Sequence, residues 1–263
     1  MFISALASGS SGNCFYVENS FKGKTDGVVI DAGISCKQIL TRLANLNRTQ
    51  KNIRGIFVTH EHIDHIRGID VFARSLNIPI YVPKKIIGSK FICSNEDLII
   101  PIKNNETIQI GKMEIQAFSK HHTSADPVSF SVLDKTANKK LSVITDAGHA
   151  CKNIIEAVST SDFLCLESNY DEKMLKEGPY PWPTKKLIGS DVGHLSNIQS
   201  AACVLEHANK NLKHLMLCHI SENNNTSQIA FNTHFKFLKE RSDLKPKITL
   251  SNRHVPTELF KVC

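Results

Sequence analysis

The stretch that most constrains the fold of this chain is residues 59–65, which directly follows the apolar run 53–58. It reads Thr-His-Glu-His-Ile-Asp-His and so places three histidines and an aspartate within six positions. Residues two apart do not share a helix face, so His60 and His62 can converge only on a loop or tight turn at a strand end. Packing such polar groups together costs several kcal/mol unless each finds a partner. Because imidazole and carboxylate are ligands that zinc and manganese prefer, the cluster predicts a metal site.

Asp64 and His65 adjoin in this cluster and offer a second pair of ligands. The cluster can therefore serve two ions. The competing interpretation is a purely structural group of polar side chains. It is the weaker one, because four such residues occur together in this spacing.

The composition is that of an ordinary globular protein, with 41% apolar and 22% charged residues among 263. The length suits one large domain or two small ones, and without a linker we expect a single domain over 1–263. No run approaches the roughly 18 to 20 apolar residues of a membrane span, and the first ten residues lack the basic region of a signal peptide. These features, with eight scattered cysteines expected to be reduced thiols, predict a cytoplasmic protein with no membrane partner. A net charge of +7 permits a polyanionic partner without establishing one.

Hydrophobic periodicity predicts alternating strands and helices. Strands are expected over 1–7, 14–18, 27–31, 53–58, 78–82, 106–110, 112–118, 128–133, 140–145, 162–166 and 214–218, with one or two more within 247–262. Helices are expected over 35–46, with Ser35 as N-cap, and over 66–76, 150–159, 197–209 and 227–238. Two halves made of strands and then helices predict an α/β fold with two sheets face to face and helices outside, a four-layer αβ/βα sandwich. The Pro-Tyr-Pro-Trp-Pro segment at 179–183 is interpreted as a connector rather than a substrate-side wall.

Polar residues of metal-ligand or acidic type recur where predicted strands end. Such residues follow five further strands: Asp31, the pair His121 and His122, Asp146, Glu167 and His219. One of them alone would carry little weight. Together with the cluster at 59–65, and with strand ends gathered at one rim, they predict a shared functional site.

The order of these residues resembles the five motifs of the metallo-β-lactamase-fold hydrolases across nearly the whole chain. The resemblance implies an αβ/βα sandwich with two divalent ions, zinc or manganese, as cofactors. By motif matching, the first ion is held by His60, His62 and His121, the second by Asp64, His65 and His219, and Asp146 bridges the two. Asp31 in this family orders the motif loop through hydrogen bonds. His122 competes with His121 for the third motif, and the match of Lys-His-His-Thr-Ser-Ala-Asp-Pro to a related Ser-His-Asp-Ala pattern favours His121.

Further segments resemble the YycJ/WalJ-type proteins, a family regarded as DNA exonucleases. They are residues 6–14, 126–128, 145–149, 167–171, 193–197 and 219–224. The segment 193–224 also resembles the tRNA 3′-processing endonuclease, which implies His194 as proton donor paired with Glu167. Phosphodiester cleavage expels an alkoxide, which a protonated imidazole held charged by a carboxylate would help to leave. The structural alternative for His194 is a neighbour of a helix cap, since Ser196 and Asn197 are good capping residues.

The predicted function is that of a metal-dependent phosphodiesterase, a DNA exonuclease of 5′–3′ direction by family resemblance, acting on DNA ends. Asp64 would also orient the nucleophile. Four short polar residues would hold a terminal phosphate: Ser8, Ser10, Ser221 and Asn223; a simple Gly-Ser turn is the alternative for residues 8–12. The alternative functions are an RNA-processing nuclease, a glyoxalase-type thioesterase and a non-catalytic nucleic-acid-binding protein. The sequence leaves open whether the chain is a monomer or a homodimer.

Overall fold

The computed structural model describes every residue from Met1 to Cys263, and its elements fall into two units built from non-contiguous segments. The first unit contains residues 1–119, 124–139 and 252–262. The second contains residues 120–123 and 140–251, with Cys263. The expectation of one domain over 1–263 stays a prediction.

The main sheet of the first unit joins hairpins to parallel strands. Its strands are β1 (Phe2–Ala7), β2 (Cys14–Phe21), β3 (Lys24–Ile30), β4 (Ile53–Phe57), β5 (Ile80–Pro83), β6 (Ile99–Ile102) and the late β14 (Phe260–Lys261), and their order across the sheet is β14-β1-β2-β3-β4-β5-β6. The first three strands pair antiparallel, whereas β3 to β6 pair parallel. Since parallel strands end at the same edge, the residues after β3 and β4 meet there.

Three helices cover the apolar residues of this sheet. They are α1 (Cys36–Asn45), α2 (Ile63–Ile66) and α3 (Ile69–Leu76). Ser35 caps α1 as predicted, in a reciprocal capping box with Gln38. The single helix expected over 66–76 instead begins earlier and breaks at Gly68, where a Cβ would stand 2.0 Å from the Ile34 carbonyl oxygen. The break lets the backbone after the histidine cluster approach the loop after β3.

An antiparallel group of strands completes the first unit: β7 (Thr107–Ile110), β8 (Met113–Ser119) and β9 (Val128–Asp134). Phe130 on β9 meets Phe57 on β4 edge-to-face, with ring centroids 5.5 Å apart. Val128 donates its backbone N–H to the Thr59 carbonyl at 2.9 Å. This group therefore packs against the strand that delivers the histidine cluster.

The second unit is a parallel sheet with helices. Its strands are β10 (Lys139–Ile144), β11 (Phe163–Glu167), β12 (His214–Cys218) and β13 (Lys247–Leu250), and its helices are α4 (Lys152–Thr160), α5 (Glu172–Glu177), α6 (Trp182–Ile188), α7 (Asn197–His207) and α8 (Ser227–Leu238). Both central strands, β11 and β12, are buried at every position, which explains their continuous apolar sequences. The carboxyl ends of β10, β11 and β12 lie at one edge, as the sequence predicted.

The sequence did not predict α5 and α6. The proline-rich segment 179–183 leads into α6, with Pro181 as its N-cap residue and Pro183 in its first turn. The strands β7 to β13 form one seven-stranded sheet, in the order β13-β12-β11-β10-β9-β8-β7, so both sheets combine antiparallel and parallel pairing. The α/β class and two mixed sheets flanked by helices are confirmed. All eight cysteines are free, as expected. None of the helices is both long and apolar enough to cross a membrane.

Candidate functional site

In the first unit, the carboxylate of Asp31 organises the loop after β4. It is 1% exposed and accepts hydrogen bonds from the backbone N–H and the hydroxyl of Thr59, at 2.8 and 2.7 Å. It also accepts from Nδ1 of His65 at 2.7 Å. With Nδ1 donating to Asp31, the lone pair of the His65 ring lies on Nε2, the atom available to a metal. The loop-ordering role implied for Asp31 is thus matched by its contacts.

His60 and His62 face each other on this loop. Nε2 of His60 lies 3.1 Å from Nδ1 of His62, and the ring planes are 74° apart. Two nitrogens at about 2.0 Å from one tetrahedral zinc ion would be separated by roughly 3.3 Å. The pair therefore has the spacing of two ligands that share an ion.

Asp64 and His65 form the second predicted pair. Oδ2 of Asp64 lies 3.5 Å from Nε2 of His65, and the amide nitrogen of Asn13 lies 3.1 Å from the same Nε2. Asn13 also donates its backbone N–H to the Asp64 carbonyl at 2.7 Å. The chain passes so closely here that a Cβ on Gly33 would stand 1.6 Å from that carbonyl oxygen. Glycine at 33 is therefore required by the loop that presents Asp64.

In the second unit, Glu167 at the end of β11 has the same organising role. It is fully buried and accepts the backbone N–H groups of Ala147 and Leu195, at 2.8 and 3.2 Å. It also accepts from Nδ1 of His194 at 2.9 Å and from Nδ1 of His219 at 2.7 Å. Burial alone would raise the pKa of Glu167, but the charges and hydrogen bonds of the two histidines hold that pKa at about 2.

Asp146, Glu167, His194 and His219 form one cluster, in which one potential ligand atom from each lies within 4.8 Å of all the others. Oδ1 of Asp146 is 3.5 Å from Nδ1 of His219 and 3.9 Å from Nδ1 of His194. Asp146 and His219 are buried, whereas His194 is 20% exposed. The donor types fit a divalent ion, and a partly exposed histidine at the margin of the cluster can meet a substrate.

The structure separates the two candidates for the third motif. His122 is buried, its Nδ1 bonds to the Gly193 carbonyl at 3.1 Å, and its Nε2 lies 3.8 Å from Oδ1 of Asp146. Burial is the main cause of its pKa being lowered to about 4, which keeps the ring neutral. His121 is exposed, and its ring lies beside that of His149, with centroids 4.5 Å apart and planes tilted by 32°. The geometry favours His122, because residues 121 and 122 point to opposite sides and only the second turns inward.

Three residues at strand ends share an uncommon backbone conformation. Asp31, Asp146 and His219 have φ values of 58°, 53° and 52°. Residues other than glycine rarely adopt this left-handed region, and such strain costs of the order of 1–3 kcal/mol and gathers at functional sites. The sequence motif placed all three at strand ends, and the backbone turns sharply at each to redirect the side chain.

The four residues expected to hold a terminal phosphate lie in different settings. The hydroxyl of Ser8 donates to the Asn13 side chain at 3.1 Å within the tight turn at residues 8–13, and Ser10 is exposed on that turn. The hydroxyl of Ser221 accepts from the Asn224 backbone at 3.2 Å, and the Asn223 amide donates to the Tyr180 hydroxyl at 2.8 Å. Their contacts are those of turn and loop residues, and their role in phosphate binding stays a prediction.

Sequence reasoning missed the residues that form hydrogen bonds with the histidine cluster and its loop. Thr59 donates to Asp31, and the Asn13 amide contacts His65. Glu61, between the first two histidines, accepts from the Ser124 hydroxyl at 2.5 Å and the Ala125 N–H at 3.0 Å. These bonds lower the pKa of Glu61 against the effect of its partial burial. The only signal in the sequence was their proximity to the motifs.

Comparisons with known proteins identify similar chains. A family model described as the beta-lactamase superfamily domain matches residues 27–220. The exodeoxyribonuclease YycJ of Bacillus anthracis is 34% identical over 250 residues, which cover 92% of this chain and 90% of that protein. The exodeoxyribonuclease WalJ of Streptococcus pneumoniae is 33% identical over 237 residues, covering 88% and 85%.

A solved structure shows the fold. The crystal structure of the metallo-β-lactamase fold protein YhfI from Bacillus subtilis superposes with a TM-score of 0.70 at 12% identity, covering 97% of this chain and 98% of that one. The metallo-β-lactamase fold, which is the four-layer αβ/βα sandwich predicted from the sequence, is confirmed.

Proposed function

The chain belongs to the beta-lactamase superfamily, and within it we propose that it is a metal-dependent exodeoxyribonuclease. It is a metal-dependent hydrolase of the nuclease kind, with nucleic acid as its partner. We propose further that its substrate is DNA and that it digests DNA in the 5′–3′ direction. We also propose that it acts in the cytoplasm, a reducing compartment in which eight free cysteines would persist. The observation that carries the proposal is the pairing of His194 with the buried Glu167.

We propose that the metal-binding set is the one implied by the family motifs, with His122 in place of His121. The first ion would be held by His60, His62 and His122, the second by Asp64, His65 and His219, and Asp146 would bridge them. The spacing of His60 and His62 and the donor types beside Asp146 support this set. The chain would then form a single functional domain.

Bound divalent ions would lower the pKa of a coordinated water toward 7 and offset charge on the phosphoryl oxygens. The chain's own residues orient and donate protons. The Glu167 carboxylate accepts from Nδ1 of His194 and so directs its Nε2–H outward, where the ring is partly exposed. A proton on Nε2 can pass to the leaving oxygen of the phosphodiester. Asp64, held by Asn13, can orient the attacking water.

The test is a panel of end-labelled single- and double-stranded DNA and RNA, incubated with added manganese or zinc. We expect labelled DNA to be shortened from its 5′ end and bis-p-nitrophenyl phosphate to be hydrolysed, with a thioester left intact. His60→Ala or Asp146→Ala should abolish cleavage and reduce bound metal. His194→Ala should keep the metal and lose about 10²-fold or more in turnover, as for a general acid.

His254→Ala is the matched control, because His254 is an exposed histidine outside both clusters. Its activity should equal that of the unmodified protein. Full activity in His60→Ala would refute the metal mechanism. Thioester hydrolysis without phosphodiester hydrolysis would instead identify a thioesterase, and a protein without bound metal or cleavage would be a binding protein.

A further inference from the structure

A basic and aromatic cavity lies in the second unit, apart from the clustered ligands. Its volume is about 620 Å³, and its wall includes Tyr170, Lys176, Trp182, Lys185 and Lys186. Two of the short helices build it: α5 carries Lys176, and α6 carries the tryptophan and the other two lysines. The sequence did not predict these helices, and the proposed chemistry does not use them.

Trp182 is the most exposed large apolar side chain of the protein, with 70% of its surface accessible. Exposing an indole forfeits the stabilisation that its burial would give. Nζ of Lys186 lies 5.3 Å from the centre of the ring, within cation–π range. A flat aromatic surface next to an ammonium group suits a ligand that has both a π face and negative charge.

The remaining charges of the cavity point to an anion. Lys185 donates to the Lys176 carbonyl at 2.8 Å, so the two helices bring their lysines together. Glu172, also in the wall, accepts from the Ser196 hydroxyl at 3.2 Å at the capping position of α7. Three lysines against one glutamate leave the cavity basic.

The cavity is connected to the proposed catalytic pair through short segments of chain. Tyr170 follows Glu167 by three residues, and its carbonyl accepts from the Asn197 N–H at 2.8 Å. Residues 189–193 connect the end of α6 to His194, whose N–H donates to the Ile188 carbonyl at 2.9 Å. One wall of the cavity therefore continues into His194, which would meet the scissile phosphate, and the other into Glu167, which holds the His194 ring.

We propose that this cavity binds a single-stranded segment of DNA, with one unpaired base stacked on Trp182 and backbone phosphates paired with Lys176, Lys185 and Lys186. The inference rests on the proposed nuclease function and states how that site holds its substrate strand. Sequence-independent binding of single strands combines these two elements, an aromatic platform and basic side chains along the backbone.

Phe235 on α8 is the competing platform. It is 47% exposed, and Nζ of Lys239 lies 4.5 Å from its ring centre. Its ring, however, already stacks on Phe231, at 5.9 Å and 13°. It therefore offers less free π surface than Trp182 and provides a matched control.

The chain contains one tryptophan, so its fluorescence reports directly on the proposed platform. The full-length protein is freed of metal with a chelator, which removes cleavage, and titrated with oligothymidylate. We expect saturable quenching. Anisotropy of a labelled oligomer should show affinity reduced about 5- to 150-fold in Trp182→Ala, partly restored in Trp182→Phe and unchanged in Phe235→Ala. Lys185→Gln and Lys186→Gln should each lower the slope of log affinity against log salt by about 0.7.

Three results would overturn the inference: no quenching by oligothymidylate, Trp182→Ala binding as tightly as the unmodified protein, or equal binding of an abasic oligomer. The last would indicate a site for phosphate alone. Hydrolysis of bis-p-nitrophenyl phosphate by the metal-loaded control Phe235→Ala should be unchanged. Absence of nuclease activity with quenching intact would count against the proposed function only, since binding is measured without metal.

Discussion

Replacing Asp31 by asparagine tests whether one buried carboxylate sets the metal-binding form of His65. In the native protein Asp31 accepts from the Thr59 N–H, the Thr59 hydroxyl and Nδ1 of His65. Asparagine keeps an oxygen for the Thr59 N–H, and the Thr59 hydroxyl can rotate to accept from the new amide. The His65 ring has no such remedy, because its Nδ1–H would face an N–H₂ group.

The magnitude follows from that lost contact. A hydrogen bond to a charged acceptor contributes about 1.5–3 kcal/mol, and His65 can avoid the clash only by moving its proton to Nε2. That tautomer has no lone pair on the nitrogen beside Asp64. We therefore expect metal affinity to fall about 10- to 100-fold, the usual effect of removing the partner of a metal-binding histidine.

Calorimetric titration of the metal-free protein with zinc or manganese measures this effect. Glu18→Gln is the control, because Glu18 is equally buried in the same sheet and carries Tyr16 and Arg48 instead of a histidine. It should lose stability without losing metal affinity. If Asp31→Asn bound metal within twofold of the unmodified protein, or if Glu18→Gln lost as much affinity, the tautomer argument would be refuted.

Three further predictions concern the loops, the core and the metal. Gly33→Ala should lower the free energy of unfolding by about 1–3 kcal/mol in urea, since its Cβ meets backbone atoms, while Gly189→Ala, with nothing nearer than 3.5 Å, should change little. Burial lowers the pKa of His234 from its ordinary 6.5 to about 4, so the unfolded chain takes up the proton first as pH falls; its stabilising contribution is complete above pH 6.5, declines toward pH 4, and is reduced by about 2 kcal/mol at pH 5. His234→Gln, compared by denaturant unfolding at pH 5 and 7, should remove that part of the slope, and an unchanged slope would contradict it. Zinc or manganese at a hundred times its dissociation constant should raise the free energy of unfolding by about 2.7 kcal/mol in a thermal shift assay, and this gain should be lost in His60→Ala.

The sequence predicted the parallel strands and the residues at their ends because these signals are local. The strands β11 and β12 are buried on both faces, so their apolar runs stand out, and Glu167 and His219 mark where each ends. The helices α5 and α6 escaped prediction because they have six and seven residues, too few to show helical periodicity. The break at Gly68 depends on the approach of Ile34, which lies far away in the chain.

The choice between His121 and His122 depended on tertiary structure for a similar reason. Both follow β8 within three residues, and the sequence does not reveal which ring faces inward. The carbonyl of Gly193, 71 positions away, holds the His122 ring. The role of Asn13 was likewise hidden, because its contacts with Asp64 and His65 join residues about fifty positions apart.

The left-handed backbone at Asp31, Asp146 and His219 places the stability of the fold in competition with the direction of three side chains. Asparagine and glycine adopt this conformation more readily than histidine, so His219→Asn would relieve backbone strain at a position where we propose that imidazole binds a metal ion. If the proposed role of His219 holds, the native residue therefore accepts backbone strain in exchange for a metal ligand. The same substitution removes the ring whose Nδ1 donates to the buried Glu167 at 2.7 Å, so a lost hydrogen bond offsets part of the relieved strain.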